Sequence, residues 1–234
     1  MGKKIYKYDE NYFSTIDTYD KAYWLGFILA DGYIIDNRGK DNKSDAIGLR
    51  IRLAESEKPH LEKLNEDING NLPVKIVKNY GTFNKENSKL SEIHINSTQI
   101  VDDLYKLGLS SGNKSCNEKF IKFNDPNLTK NFILGMFDGD GYITKYNSWS
   151  KRDQKNRVLQ EWGINSSKEF ILEAEKFLKE QIKGIKFQKV TTDHRCDDLY
   201  RLRTSSKKTI AELKKYFYES NCTSSYLQRK YNMY

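Results

Sequence analysis

The feature that most constrains the fold of this chain is an internal duplication. An apolar segment that ends in Asp-Gly-Tyr-Ile occurs twice, at positions 23–34 and 132–143, so that Asp31 recurs as Asp140. The offset of 109 residues is a little under half of the 234-residue chain. A repeat at this spacing indicates a structure built from two similar halves.

The segments that follow each copy also correspond, and they predict one order of elements for both halves. Residues 49–53 alternate apolar and basic side chains, which is typical of a strand with one buried face, and residues 158–164 are a weaker counterpart. Ser56 is expected to cap the next helix, matched by Ser166 or Ser167 in the second half. Two strands and a closing helix then follow in each half. In the first half the strands are 74–77 and 92–95, and the helix runs through Ile100, Leu104 and Leu107. In the second half the strands are 185–190 and 200–203, and the helix runs through Ile210, Leu213 and Phe217. The predicted fold class is α+β, a pseudo-twofold duplicated αββαββα with antiparallel sheets.

The two halves are expected to be joined by a short linker. Residues 1–108 form the first half, residues 109–124 are polar and without clear periodicity, and residues 125–234 form the second half. Asp125 and Pro126 predict a helix start, because aspartate caps well and proline lacks only an N–H that the first turn leaves unpaired. Residues 37–45 and 145–157 are expected to be exposed hairpin loops.

Charge and composition narrow the class of partner. Lys and Arg number 40 against 32 Asp and Glu, and this net charge of +8 favours a polyanionic partner, most often nucleic acid. The longest apolar run, at 24–30, is far below the roughly 20 residues of a membrane helix, and no secretory signal follows Met1. Three widely spaced cysteines without a CxxC pair indicate neither a disulfide framework nor a zinc site. We therefore expect a soluble, intracellular protein with no membrane partner. The basic residues Arg229 and Lys230 are expected to be solvated.

The repeated apolar helices are expected to pack against each other. Gly26 and Ala30 are four residues apart, as are Gly135 and Gly139, so each pair lies on one helix face. Small residues at this spacing let two backbones approach closely. A glycine inside a helix costs roughly 0.5–1 kcal/mol relative to alanine, so its recurrence at Gly26 and Gly135 indicates a packing requirement.

Asp31 and Asp140 fall at the ends of these helices, where a carboxylate is electrostatically misplaced. The helix C-terminus already carries partial negative charge, and bringing two carboxylates together adds repulsion. This pair predicts a cation site, and oxygen ligands with incomplete protein coordination suit Mg²⁺. The simpler alternative is that each aspartate only ends its helix in a turn, with Gly32 and Gly141 as left-handed terminators.

At these residues the sequence resembles the LAGLIDADG homing endonucleases, in their single-chain form with two motifs. Positions 24–32 and 133–141 occupy the nine motif positions, and the acidic eighth position is Asp31 in one copy and Asp140 in the other. Asp138 matches the sixth position in the second copy, where the first copy has Leu29.

The resemblance implies a saddle-shaped DNA-binding protein that acts as a monomer. It implies cleavage of both strands of a long recognition site, leaving 3′ overhangs, and a role in intron homing. It further implies that Asp31 and Asp140 are catalytic and bind divalent metal, with the backbone carbonyls of Ala30 and Gly139 as further ligands. Mg²⁺ is the expected cofactor, with Mn²⁺ or Ca²⁺ as other occupants of the site.

The strands are expected to supply the DNA-binding face. If alternate apolar residues are buried, the side chains between them project to the opposite face. Arginine can read guanine, glutamine can read adenine, and lysine most often neutralises phosphate. The candidate DNA-contacting residues are Arg50, Arg52, Lys75, His94, Lys186, Gln188, Arg201 and Arg203.

Two other functions are compatible with the same motifs. One is a maturase, which binds intron RNA and assists splicing. The other is a regulator that binds DNA on the same scaffold without cutting it. Because both acidic positions are present, the sequence favours the site-specific double-strand DNA endonuclease.

Overall fold

The structure is a computed structural model that describes residues 6–39, 46–78, 89–112, 116–150, 152, 154–193 and 196–234. Two four-stranded antiparallel sheets, one from each half of the chain, are covered by helices. Every helix in these ranges is too short or too polar to cross a membrane.

The first half contains three helices and four strands in the predicted order. They are α1 (Tyr19–Asp31), β1 (Gly32–Asp36), β2 (Ile47–Ala54), α2 (Lys58–Asp67), β3 (Lys75–Lys78), β4 (Lys89–Ile95) and α3 (Thr98–Lys106). The strands pair antiparallel in the order β1-β2-β4-β3, which we call the N-terminal sheet.

The second half repeats this order and adds a short helix. Its elements are α4 (Pro126–Asp140), β5 (Gly141–Ser150), β6 (Lys155–Ser166), α5 (Lys168–Gln181), β7 (Thr191–Asp193), β8 (Cys196–Thr204), α6 (Lys207–Tyr218) and α7 (Gln228–Tyr231). The strand order β5-β6-β8-β7 defines the C-terminal sheet. The prediction of a duplicated αββαββα with antiparallel sheets is confirmed.

The two motif helices, α1 and α4, pack against each other at the centre of the core. Both are buried through most of their length, because they are apolar on nearly every face. A Cβ built on Gly26 would lie 2.0 Å from the carbonyl oxygen of Phe132, and one on Gly135 would lie 1.9 Å from that of Tyr23. The two glycines therefore sit where each helix backbone touches the other.

Helix starts agree with the sequence at two of three positions. The Asp125 carboxylate accepts a hydrogen bond from the Asn127 amide, and the Ser167 hydroxyl accepts one from the Phe170 amide. The expected cap at Ser56 is wrong. A single 3-10 turn, Glu55–Glu57, precedes α2 and takes up Ser56, so that the helix begins at Lys58 with a proline in its first turn.

Three further expectations from the sequence differ from the structure. Gly32 and Gly141 end their helices in extended rather than left-handed conformation, because the chain passes directly into β1 and β5. Residues 145–157 were expected to be a loop, but β5 and β6 continue as a long hairpin through most of them. The expected strand at 185–190 does not form. Threonine side chains form hydrogen bonds with backbone groups of this segment: the Thr209 hydroxyl accepts one from the Lys186 amide, and the Thr204 hydroxyl donates one to the Lys186 carbonyl.

Candidate active site

The two motif aspartates are the last residues of the packed helices. Asp31 ends α1 and is partly exposed, and Asp140 ends α4 and is exposed. Each is followed by a glycine that begins the first strand of a sheet. A Cβ on either glycine would collide with the preceding helical turn, at 2.6 Å from the Ile28 carbonyl oxygen for Gly32 and 2.4 Å from the Phe137 carbonyl oxygen for Gly141. The glycines therefore allow each carboxylate to sit at the junction of helix and sheet.

The ends of α1 and α4 meet at these residues. A Cβ built on Gly139 would lie 2.3 Å from the Cβ of Ala30 and 3.3 Å from Oδ2 of Asp31. The absence of a side chain at Gly139 thus lets the Asp31 carboxylate approach the backbone of the opposite helix. A cleft of about 290 Å³ opens beside them and is lined by Asp31, Asp138, Gly139, Glu57 and Arg229, among others.

A buried lysine occupies the end of α4. The ammonium of Lys230, in α7, donates hydrogen bonds to the carbonyls of Phe137 at 2.6 Å, Gly139 at 3.3 Å and Gly141 at 2.6 Å. Lys230 is only 4% exposed, so the expectation of a solvated residue is wrong. Burial lowers the pKa of Lys230 to about 8, against the opposing effects of the nearby carboxylates of Asp138, Asp31 and Asp140.

Asp138, at the sixth motif position, is a buried carboxylate. Its Oδ2 accepts hydrogen bonds from the Tyr23 hydroxyl at 2.8 Å and from the Leu227 amide at 2.7 Å. Its Oδ1 is buried with no hydrogen-bond partner within the described residues. Burial raises the pKa of Asp138 to about 7, although Lys230 and the two hydrogen bonds act in the opposite direction.

The C-terminal segment 223–230, here called the strap, crosses from the second half onto the first. The Ser224 amide donates to Asp20 and the Ser225 hydroxyl donates to Asp67, both in the first half. Arg229 forms an ion pair with Glu57 at 2.7 Å. The strap therefore connects the two halves on the side of the helix pair that carries Lys230.

The donor set at the helix ends fits a divalent cation of the Mg²⁺ or Ca²⁺ type. Both cations prefer oxygen ligands, and Mg²⁺ retains several waters beside one or two carboxylates. Asp31, Asp140 and the neighbouring carbonyls offer only oxygen. No group of three or more His, Cys, Asp or Glu side chains suited to a metal occurs in the described ranges. A cation here would therefore depend on carboxylates, backbone carbonyls, water and a phosphate together.

In the N-terminal sheet, four of the candidate DNA-contacting residues share one face. Arg50 pairs with Tyr33 on one side and with His94 on the other, and its guanidinium stacks on the Tyr33 ring at 4.9 Å. Arg52 and Lys75 project from the same face, where both are paired with Glu92 in the strand register. Arg52 also forms an ion pair with that glutamate at 2.5 Å.

Among the candidate DNA-contacting residues of this face, His94 has a pKa that is lowered by burial. Glu92 opposes this shift of the pKa, and Arg50 and Lys75 reinforce it. The lowered pKa favours the neutral ring, which is suited to hydrogen bonding rather than to charge neutralisation.

In the C-terminal sheet the two arginines are held by carboxylates. Arg201 forms an ion pair at 2.6 Å with Asp193, which is buried, and Arg203 lies 3.6 Å from Glu161. Lys186 and Gln188 are exposed but lie outside the strands, although the Gln188 amide donates to the Arg203 carbonyl beside the end of β8. The structure thus brings Arg201 and Arg203 onto the sheet and leaves Lys186 and Gln188 next to it.

Sequence reasoning missed Lys230, Tyr23 and His60 as neighbours of the site. The signal in the sequence for Tyr23 is its hydroxyl within an apolar segment, whereas His60 lies in a polar segment and has no such signal. Lys230 had no such signal, because it lies in a polar segment 90 residues after Asp140 and only the tertiary fold brings it to α4.

Comparison with known proteins supports the same architecture. No protein-family model and no curated protein sequence matches the chain. Among solved structures, the meganuclease I-SmaMI bound to uncleaveable DNA is 13% identical with a TM-score of 0.57, and the match covers 86% of this chain and 83% of that one. The LAGLIDADG meganuclease I-AabMI bound to uncleaved DNA is 13% identical with a TM-score of 0.54, over 86% and 84% of the two chains. The LAGLIDADG homing endonuclease I-GzeII in complex with its DNA target is 14% identical with a TM-score of 0.53, over 86% and 84%. This chain therefore has the fold of the LAGLIDADG homing endonucleases, whose motif its duplicated segment resembles.

Proposed function

We propose that this chain is a site-specific double-strand DNA endonuclease of the homing type, which acts as a monomer and depends on a divalent metal. The observation that carries the proposal is the meeting of the two motif helices at Gly139 and Asp31. That contact leaves two accessible carboxylates, Asp31 and Asp140, at the ends of buried helices. In a protein without such a function, both placements would only cost stability.

Asp31 and Asp140 would hold the metal, with the carbonyls of Ala30 and Gly139 beside them. A bound Mg²⁺ would supply an activated water, charge neutralisation on the phosphate and stabilisation of the leaving group. The protein contributes position, because each carboxylate is fixed between a helix and a strand, and Asp31 also lines a partly open cleft. One scissile phosphate from each strand is proposed to lie at this pair of aspartates.

Double-stranded DNA is proposed to lie on the two sheets. Arg50 and Lys75 would neutralise phosphates or contact base edges, and Arg201 and Arg203, each beside a carboxylate, are proposed as further contacts. The 3′ overhangs implied by the family resemblance are part of the proposal, as are the further contacts of Arg52, His94, Lys186 and Gln188.

The test is selection of cleaved sites from a randomised duplex library in Mg²⁺. We expect a single long consensus sequence, and sequencing of the product ends should give 3′ overhangs. Asp31→Asn and Asp140→Asn should each abolish double-strand cleavage of the selected site while DNA affinity changes little. Asp17→Asn is the matched control, because Asp17 is exposed and forms a local ion pair with Lys21, four residues along the chain.

The outcomes separate the three functions. Cleavage that persists in both the Asp31 and Asp140 variants would overturn the assignment of the site. Sequence-specific binding without cleavage by the unaltered chain would favour the regulator. Binding and splicing of intron RNA, measured in a separate splicing assay, without DNA cleavage, would favour the maturase.

A further inference from the structure

The ammonium of Lys230 lies among negatively charged and carbonyl groups, although the neighbouring Arg229 guanidinium also acts on it with the opposite effect. Its ammonium contacts three carbonyls at the C-terminal end of α4, which carries the negative end of the helix dipole. The carboxylates of Asp138, Asp31 and Asp140 all act on it electrostatically. The ammonium is also within 5.1 Å of the centre of the Phe137 ring, which excludes water from one side.

We propose that Lys230 is a positioning residue that acts as a built-in cation, keeping the ends of the two motif helices assembled when no divalent metal is bound. This inference rests on the proposed function, because it concerns the same pair of aspartates. It assigns Lys230 a role in the resting protein and not in the chemical step.

The physical need for such a cation follows from the charges present. Two helix C-termini and three carboxylates converge at the junction of α1 and α4. One of these carboxylates, Asp138, is buried, and its Oδ1 has no hydrogen-bond partner among the residues that the structure describes. In a metal-binding protein the bound ion balances charge of this kind. Without the ion, the repulsion would separate the helix ends, and a fixed ammonium opposes that separation.

The strap holds the lysine in place from both sides. Its Leu227 amide donates to Asp138, and Arg229, next to Lys230, is paired with Glu57 of the first half. Lys230 is therefore held against α4 by contacts with both halves of the chain. This explains how an ammonium can be kept at the site in spite of the cost of burying it.

The test measures thermal stability with and without Ca²⁺ in the absence of DNA. In Lys230→Met the ammonium is lost, and we expect the Tm in EDTA to fall by on the order of 10 °C. Ca²⁺ should then restore part of this loss by binding at the site, by about 4 °C when its concentration is ten times the dissociation constant. The unaltered protein and Lys230→Arg should respond to the same Ca²⁺ concentration by less than about 1 °C.

Lys130 provides a matched control on the same helix. It is also buried in α4, and its ammonium donates to the carbonyl of Ser220 and lies over the Tyr216 ring, far along the helix from Asp140. Lys130→Met should lower the Tm in EDTA without any gain in the response to Ca²⁺. A purely structural role of Lys230 would make the two variants behave alike.

Further variants separate a failure to fold from the loss of the cation. If Lys230→Met does not fold, the double variant Lys230→Met with Asp138→Asn removes the buried charge and should show the same enhanced response to Ca²⁺. Adding Asp31→Asn and Asp140→Asn to either background should abolish that response. Equal Ca²⁺ responses in the Lys230 variants and the unaltered protein would overturn the inference. A chain that fails to cut any duplex but shows the enhanced response would overturn only the proposed nuclease function.

Discussion

The hydroxyl of Tyr23 donates a hydrogen bond to the carboxylate of Asp138 across the interface of the two motif helices. The distance from the hydroxyl oxygen to Oδ2 of Asp138 is 2.8 Å. Tyr23 belongs to the first copy of the repeat and Asp138 to the second. The Nε2 atom of His60, in α2, lies 3.1 Å from the same hydroxyl. When the hydroxyl proton is directed at Asp138, His60 can donate to the Tyr23 hydroxyl oxygen in the tautomer that is protonated at Nε2. A polar network therefore connects both halves inside an otherwise apolar core.

Replacing Tyr23 with phenylalanine should destabilise the protein by about 2 kcal/mol, because Asp138 and His60 each lose a partner in a buried site. Urea denaturation followed by circular dichroism would measure the loss. Tyr146→Phe is the control, since Tyr146 is 41% exposed, and it should be nearly neutral. A loss below about 0.5 kcal/mol in Tyr23→Phe would contradict the importance of this network.

His60 should make the protein less stable in acid. Burial lowers the pKa of His60 to about 3, against an ordinary value of 6.5. Between these two pH values the unfolded chain binds a proton that the folded chain does not, so stability falls as the pH falls through this window. The free energy of unfolding should therefore be lower at pH 4.5 than at pH 7 by roughly 2–3 kcal/mol because of His60.

The variant His60→Gln isolates this contribution. Asp138, with its raised pKa, acts with the opposite sign, since it favours the folded state as the pH falls. Asp138 is present in both proteins, so subtracting the stability of the variant from that of the unaltered protein at each pH removes most of its contribution. The stability difference should shrink as the pH is lowered from 7 to 4.5, and a difference independent of pH would refute the assignment.

The duplicated fold could be predicted because its signals are local and occur twice. Apolar helices with glycines at Gly26 and Gly135, and strands with alternating residues, appear in both halves, so each half supports the assignment of the other. The strand expected at 185–190 does not form, and the alternation of residues in this segment could not have revealed why. Thr204 and Thr209 are distant in sequence, and their side chains occupy the backbone groups of Lys186.

The surroundings of the site could be predicted only in part. Asp31 and Asp140 could be proposed as site residues because a carboxylate at a helix C-terminus is unfavourable and both copies have one. The burial of Lys230 was not, since an Arg-Lys pair near the end of a basic chain is usually solvated and the strap has no repeat to indicate its path. The ion pairs of Arg52, Arg201 and Arg203 also depend on strand register, which the sequence did not define.

Substituting alanine at Gly26 or Gly135 should destabilise the helix pair strongly, although alanine favours a helix by about 1 kcal/mol. The added Cβ would lie 2.0 or 1.9 Å from a carbonyl oxygen of the opposite helix, so the backbones must separate. We expect a net loss of about 3 kcal/mol or more for each variant, measured by urea denaturation. Leu172→Ala, at a position that is 45% exposed on α5, is the control and should cost far less. Unchanged stability in both glycine variants would be incompatible with the close contact of α1 and α4.

Arg50 should contribute more to DNA binding than Arg52, two residues further along the same strand and on the same face. The Arg52 guanidinium is paired with Glu92 at 2.5 Å, so this pair presents little net charge to a phosphate. The Arg50 guanidinium stacks on the partly exposed ring of Tyr33 and keeps its charge directed to the sheet surface. Titration of a labelled duplex at several salt concentrations should therefore show about tenfold weaker binding for Arg50→Ala, with the salt slope reduced by about one. Arg52→Ala should weaken binding less than about threefold, and thermal melts would establish that both variants remain folded. Equal losses of affinity in the two variants would mean that the ion pair with Glu92 opens on DNA and that Arg52 is also a contact.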